Sequence, residues 1–262
     1  MPSVSNLAVG AAMAGAAASK ARHQMNESIA RLSTGIRSMY GGDAAGQSIA
    51  NMIGAKGKSF AVASRSLEDG ISYLQSAESV LLEMAALATR LRELGIQYDN
   101  VALLSSFDQI ALNTEAEMIG DTMDAIQANT KFNGVLLVGG STKFQIGIND
   151  AGSTLTIGVG STIGQLNNVT TANGVDGSAD TVIGHITKGL GMVAAGMTGL
   201  KGAQAVASNS AANLQAAAAR IQDTDYALET AALTKAAILN QSAMAMVAQA
   251  NEAQQSILTV IQ

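Results

Sequence analysis

Two apolar stripes at opposite ends of the chain constrain its fold more than any other feature. In the last 25 residues, Leu239, Ala243, Met246, Ala250, Ala253, Ile257 and Val260 recur at alternating spacings of four and three. That is the seam of a helix packed lengthwise on another helix. The first 25 residues carry the same pattern in Leu7, Ala11, Ala14, Ala18, Ala21 and Met25. Two such stripes predict that the ends of the chain meet each other and then meet further copies. This points to an assembling protein rather than an enzyme.

The side chains available to these seams are small. The chain is 48% hydrophobic but only 3% aromatic, with no Trp, so alanine and methionine supply much of the apolar surface. A buried methylene contributes about 0.8 kcal/mol, so alanine seams need length and many neighbours. The net charge is −5 with no polybasic run, which argues against nucleic acid or an anionic membrane as partner. The absence of Cys excludes disulfides, iron–sulfur clusters and thiolate metal sites. Residues 8–18 are weakly apolar, but no Lys or Arg precedes Lys20. A secretory signal needs a basic leader, so no cleaved signal peptide is expected. Nor is membrane insertion, since a span takes about 20 strongly apolar residues.

The periodicity divides the chain into four long helical blocks around a short β region. The first block covers about 4–38, continues its stripe through Ile29, Leu32 and Ile36, and is expected to stop at Tyr40-Gly41-Gly42, with Asp43 capping a short helix that starts at Ala44. The second has an unbroken stripe from Phe60 to Leu91 that passes through Gly70. A glycine there costs about 1 kcal/mol relative to alanine, and a close helix contact would explain its placement. The third block, about 104–129, has two stripes, one through Leu112, Ala116, Ile119, Met123 and Ile126, the other through Phe107, Ala111, Thr114 and Met118. A helix with two apolar stripes touches two neighbours. The period then becomes two: Phe144, Ile146 and Ile148 and then Leu155, Ile157 and Val159 flank Asn149-Asp150-Ala151-Gly152, which reads as a β-hairpin. Residues 161–181 read as an exposed loop. Heptads return from Ile183 to Ile221, and the terminal helix follows Asp223-Thr224-Asp225. The fold class expected is mainly α: a long antiparallel helical coiled-coil bundle with a small β-hairpin region at about 131–160.

No constellation carries catalytic chemistry. Gly57-Lys58-Ser59 resembles the tail of a phosphate-binding loop, but Met52 stands where that motif needs its first Gly, and no strand precedes it. His23 and His185 are the only histidines, and neither has a His or Cys at metal-ligand spacing. The acidic pairs Glu115/Glu117 and Asp223/Asp225 read as solvated faces or helix caps. No serine sits in a strand–turn–helix elbow. The expected catalytic, cofactor and metal sites are therefore none. Arg90, Arg92 and Glu93 lie on the polar edge of the second block, where a solvent face with minor ion pairs and an intersubunit contact weigh evenly. Asn168-Val169-Thr170 fits a glycosylation triplet, a pattern common by chance.

Several segments, taken in order, resemble bacterial flagellins. Ser28-Ile29-Ala30-Arg31-Leu32-Ser33-Thr34-Gly35-Ile36-Arg37, Asp43-Ala44-Ala45-Gly46 and Ser48-Ile49-Ala50-Asn51 are similar to the family's N-terminal motifs. Ser66-Leu67-Glu68-Asp69-Gly70-Ile71-Ser72, Arg90-Leu91-Arg92-Glu93-Leu94 and Thr130-Lys131-Phe132-Asn133-Gly134 follow in sequence. Arg220-Ile221-Gln222-Asp223-Thr224-Asp225-Tyr226-Ala227 and Met246-Val247-Ala248-Gln249-Ala250-Asn251 resemble the C-terminal motif. Each piece is modest; their order along the whole chain is specific. Gly95 departs from the family pattern, where a small residue such as Ala is usual, as does Gly41-Gly42 before Asp43.

The resemblance implies a structural subunit that polymerises into the helical flagellar filament for swimming motility, exported through the flagellar type III channel to an extracellular position. It implies a terminal coiled-coil domain, D0, of residues 1–42 plus 221–262, and a helical D1 with a β-hairpin over 43–220. The stretch 161–181 is too short for an outer D2 or D3 domain. Expected partners are further copies of the chain, an export chaperone, the filament cap, hook-junction proteins and a vertebrate Toll-like receptor. In the D0 contact the resemblance places Leu7, Ala11, Ala14, Ala18, Met25, Leu239, Ala243, Met246, Ala250 and Ile257. In the D1 contact and receptor-recognised surface it places Arg31, Arg90, Arg92, Glu93 and Leu94. A hook–filament junction protein and a cytoplasmic coiled-coil scaffold are the competing readings.

Overall fold

A computed structural model of the chain describes residues 2–37, 42–138, 143–149, 152–159 and 171–261. The side chains of 2–8, 143, 144, 257, 258, 260 and 261 fall outside that description, as do the expected stop at Tyr40-Gly41, the loop at 161–170 and the Asn168 triplet. The fold is mainly α, with five long helices and two small antiparallel hairpins. The chain divides into two compact units, one of residues 1–55 and 214–262, the other of residues 56–213.

The first unit is built on α1 (Pro2–Thr34) and α5 (Tyr226–Ile261), with the first turns of α2 (Ala44–Tyr98) and the end of α4 (Val175–Gln222). Helix α1 stops at Thr34, earlier than the expected Tyr40-Gly41-Gly42. Gly35 adopts a φ of +71° and donates its N–H to the Arg31 carbonyl at 2.8 Å, the left-handed helix stop that glycine makes at little steric cost. The chain then pairs briefly with the α4–α5 junction: Ile36 bridges Asp223, and Thr224 donates its N–H to the Gly35 carbonyl at 2.9 Å. Asp225 starts α5 by accepting the N–H groups of Ala227 and Leu228 at 2.9 and 3.2 Å. Asp43 caps α2 as expected, accepting from Gly46 N at 2.7 Å, but the helix is not short: it runs unbroken from Ala44 to Tyr98 and takes in the second block.

The second unit holds the larger core. Leu67, Leu74, Leu81, Met84, Leu91 and Leu94 of α2 pack with Ile186, Val193 and Leu200 of α4 and with Ala116 and Met123 of α3 (Ser106–Asn129). Strands β3 (Lys143–Gly147) and β4 (Thr154–Gly158) form the expected hairpin, with Ile146 opposite Leu155. Ile146 and Ile157 close the core from that side. Gly70 lies where the hairpin meets the helices: a Cβ there would collide with the Ile146 methyl and lie 3.2 Å from Leu200 Cδ1. Its close contact is therefore with the hairpin as well as with a helix. A smaller hairpin, β1 (Lys131–Phe132) and β2 (Val135–Leu136), turns through Asn133-Gly134, both at positive φ. Helix α4 begins at Val175, so residues 175–181 are helical, not loop. Asp176 in its first turn suits a helix start.

Candidate assembly interface

In the first unit α1 and α5 run antiparallel. Arg22 Nε donates to Asn240 Oδ1 at 3.4 Å and Arg22 Nη2 to Met244 Sδ at 3.3 Å. Nine residues along α1 and eleven back along α5, Arg31 Nη1 faces Glu229 Oε1 at 3.6 Å. Ala236 is buried between these polar pairs, and Ala14, Ala18, Ala21 and Ala243 are buried on the far side of the Arg22 pair. Small side chains let two backbones approach closely, but they bury little apolar area per residue.

The polar pairs lie where the two helices face each other. On α5 the covered row runs Glu229, Leu233, Ala236, Asn240, Ala243, Val247 and Ala250; it shares Ala243 and Ala250 with the expected stripe and has Asn240 and Val247 in place of Leu239 and Met246. Leu239 and Met246 consequently lie on the open side, at 47% and 64% exposure. On α1 the inward position is Ser28, while Ile29 is exposed, contrary to the continuation of the apolar stripe. Asn240 and Glu229 fall in the covered row of α5 opposite Arg22 and Arg31.

The sites expected from sequence thus fall into three groups. Ala14, Ala18 and Ala243 hold α1 to α5 within one chain, with Ala11, Met25 and Ala250 half-buried beside them. Leu239 and Met246 face outward, and the side chains of Leu7 and Ile257 are outside the described residues. The outward residues line an open groove of about 690 Å³, with Gly10, Met13 and Met246 toward one end and Lys20, Gln24 and Lys235 toward the other. Met13 is 69% exposed. Large apolar side chains clustered on an open face mark a surface that another molecule covers.

The second unit has a comparable face on α3. Ser105 and Asp108 form a reciprocal capping box, and Ser105's hydroxyl, followed by its backbone N–H, holds the Asp108 carboxyl below the usual carboxylate range. With the helix start fixed, Leu103, Phe107, Ile110 and Met118 are left exposed, Phe107 at 84%. The second α3 stripe therefore has no cover among the described residues.

Arg90 donates from Nε to Glu115 Oε1 at 2.8 Å and from Nη1 to Glu93 Oε2 at 3.2 Å. Glu115, then Glu93, keep the Arg90 guanidinium above its ordinary pKa. Arg92 Nε meets Asp180 Oδ1 at 2.8 Å. These three side chains remain about half exposed. Leu94 does not join them: it is fully buried in the helical core because it follows the same inward spacing as Leu91. Arg31 likewise faces α5 within its own chain, through Glu229. Beside this cluster, a Cβ on Gly95 would stand 2.7 Å from Asp176 N, so the close approach of the first turn of α4 requires glycine.

Among the described residues, no group of three or more His, Cys, Asp or Glu is placed to hold a metal, and no helix is long and apolar enough to cross a membrane. Exposed apolar faces bordered by fixed charges support lengthwise helix packing with other chains.

Residues 4–143 match the bacterial flagellin N-terminal helical region and residues 177–261 the C-terminal helical region. The chain is 30% identical to a flagellin of Halalkalibacterium halodurans, over 91% of this chain and 92% of that one. It is 30% identical to a flagellin of Bacillus subtilis, over 88% and 90% of the two chains. A flagellar filament 33 kDa core protein of Treponema phagedenis is 28% identical over 90% and 92%. The chain belongs to the bacterial flagellin family.

Proposed function

We infer that the chain is a structural subunit of the flagellar filament, an extracellular appendage, and that it polymerises with further copies of itself. The observation that carries this reading is the pair of uncovered apolar faces, one around Met13 and Met246 and one around Phe107 and Ile110. A helical polymer needs head-to-tail contacts between different patches, which leave both patches open on an isolated copy. We assign the unit of residues 1–55 and 214–262 to the inner coiled-coil layer, and the unit of residues 56–213 to the layer around it. The role is mechanical, with no catalytic step. The export chaperone, the filament cap and the hook-junction proteins are its proposed partners in transit and at the two filament ends. Arg90, Arg92 and Glu93 supply a polar intersubunit contact and the surface offered to a Toll-like receptor. Leu94 supports that surface from beneath.

Deletion of residues 228–262 tests the reading. It removes one wall of the α1–α5 groove and leaves the core of the second unit whole. Soluble, helical protein that forms no filaments is the expected result; normal filaments would refute the role given to α5.

A further inference from the structure

The groove between α1 and α5 has an electrostatic asymmetry. Lys20 and Lys235 both line it, and both are exposed. Neither makes an ion pair among the described residues; the nearby basic groups are otherwise engaged, Arg22 by Asn240 and Met244, and Arg31 by Glu229 and Glu27. Acids are scarce on these two helices. Helix α1 carries only Glu27, and α5 only Glu229 and Glu252. Glu27 and Glu229 are held by Arg31, which leaves Glu252.

Glu252 pairs with neither lysine of its own chain among the described residues. It lies 17 residues along α5 from Lys235, about 26 Å at the rise of an α-helix. At about 100° per residue it also projects from a different side of the helix. It is exposed and has no ion pair among the described residues. A donor end and an acceptor on separate patches suit a head-to-tail contact, and such contacts generate open helical polymers.

We propose that Glu252 of one copy seats at the Lys20–Lys235 end of the groove of the next copy and so fixes the axial register between subunits. The apolar end, around Met13 and Met246, contributes adhesion without preference for position. A charge pair becomes more selective as water leaves the contact, and a like-charged mismatch there is penalised. The proposal rests on reading the groove as a contact between copies.

Charge reversal tests it on the full-length chain. Lys235→Glu and Glu252→Lys, made separately, should each raise the critical concentration for polymerisation about tenfold or more, as measured by sedimentation. The double variant should return to within about threefold of the original. Monomer helix content, measured by circular dichroism, should be the same in all three because the positions are exposed. A double variant that polymerises no better than the worse single variant overturns the proposed pair, as do single variants that polymerise normally. Met246→Asp separates the two levels of the reading. If it polymerises normally, the groove is not a contact between copies; if it fails while the reversal gives no rescue, only the Glu252 register is wrong.

Discussion

Gly95 and Gly184 offer a comparison in which one methyl group has opposite effects. Both are in helices, α2 and α4, so replacing either with alanine gains about 1 kcal/mol of helix propensity. At Gly184 nothing lies within 4 Å of the new Cβ, and the gain stands alone. At Gly95 the Cβ would meet Asp176 N at 2.7 Å, its Cβ at 3.1 Å and its Cα at 3.2 Å. Two of these are backbone atoms at the start of a helix, which cannot rotate aside. Overpacking of this kind costs about 1–3 kcal/mol. Gly95→Ala should therefore be destabilising by about 1 kcal/mol and Gly184→Ala stabilising by about the same. For a unit of this size, thermal melting followed by circular dichroism should move by about 2–4 °C down in the first variant and up in the second. Because α4 must shift, Gly95→Ala should also loosen the Arg92–Asp180 contact. Equal stabilisation by both substitutions would refute the reasoning that the α4 start presses on Gly95.

Other expectations concern charge. Arg31→Met strands Glu229, whose side chain is only 11% exposed and whose Oε1 has no hydrogen-bond partner. Breaking a buried pair costs about 3–5 kcal/mol; at 3.6 Å with a partly exposed arginine, we expect about 1–2 kcal/mol, recovered in large part by adding Glu229→Met, as read from filament melting. The depressed Asp108 pKa means that its contribution to stability is complete above about pH 4 and is lost as the pH falls through the folded value. Asp124 has the opposite sign: burial, then Asp121, raises its pKa, so its charge opposes folding at neutral pH and acid relieves the cost. Asp108→Ala should lower the melting temperature at pH 7 more than at pH 3. Asp124→Asn should raise stability at pH 7 by a few tenths of a kcal/mol, the size of a like-charge helix pair, and lose that gain in acid. Helix content per subunit should be higher in filaments than in monomer, since the alanine seam of the first unit alone buries little; equal content by circular dichroism would contradict this.

The helical architecture was legible because long stripes of one period are hard to mistake. The α2 stripe from Phe60 to Leu91 matches the buried row of Leu67, Leu74, Leu81, Met84 and Leu91, and the change to period two located β3 and β4. Boundaries were less legible where a single backbone conformation decided them. Gly35 ended α1, although Gly41-Gly42 was the more conspicuous signal. The Asn133-Gly134 pair is a strong hairpin turn and carried its own signal for β1 and β2. At the interface, spacing found the helices and the covered Ala243 and Ala250 of α5 but also put Leu239 and Met246, which are exposed, on that inward face. Asn240 and Glu229 in the covered row meet Arg22 and Arg31, partners about 200 positions away in sequence that local spacing does not reveal. The family resemblance, not spacing, placed Leu94 at a surface; it follows the inward period of its own helix and is buried.

The central claim is that these uncovered faces build a polymer of this chain alone. Electron microscopy of the purified protein, seeded with short filament fragments under polymerising salt, addresses it most directly. Long tubes of uniform diameter are predicted. Monomers and short oligomers, with seeds that fail to elongate, would contradict it.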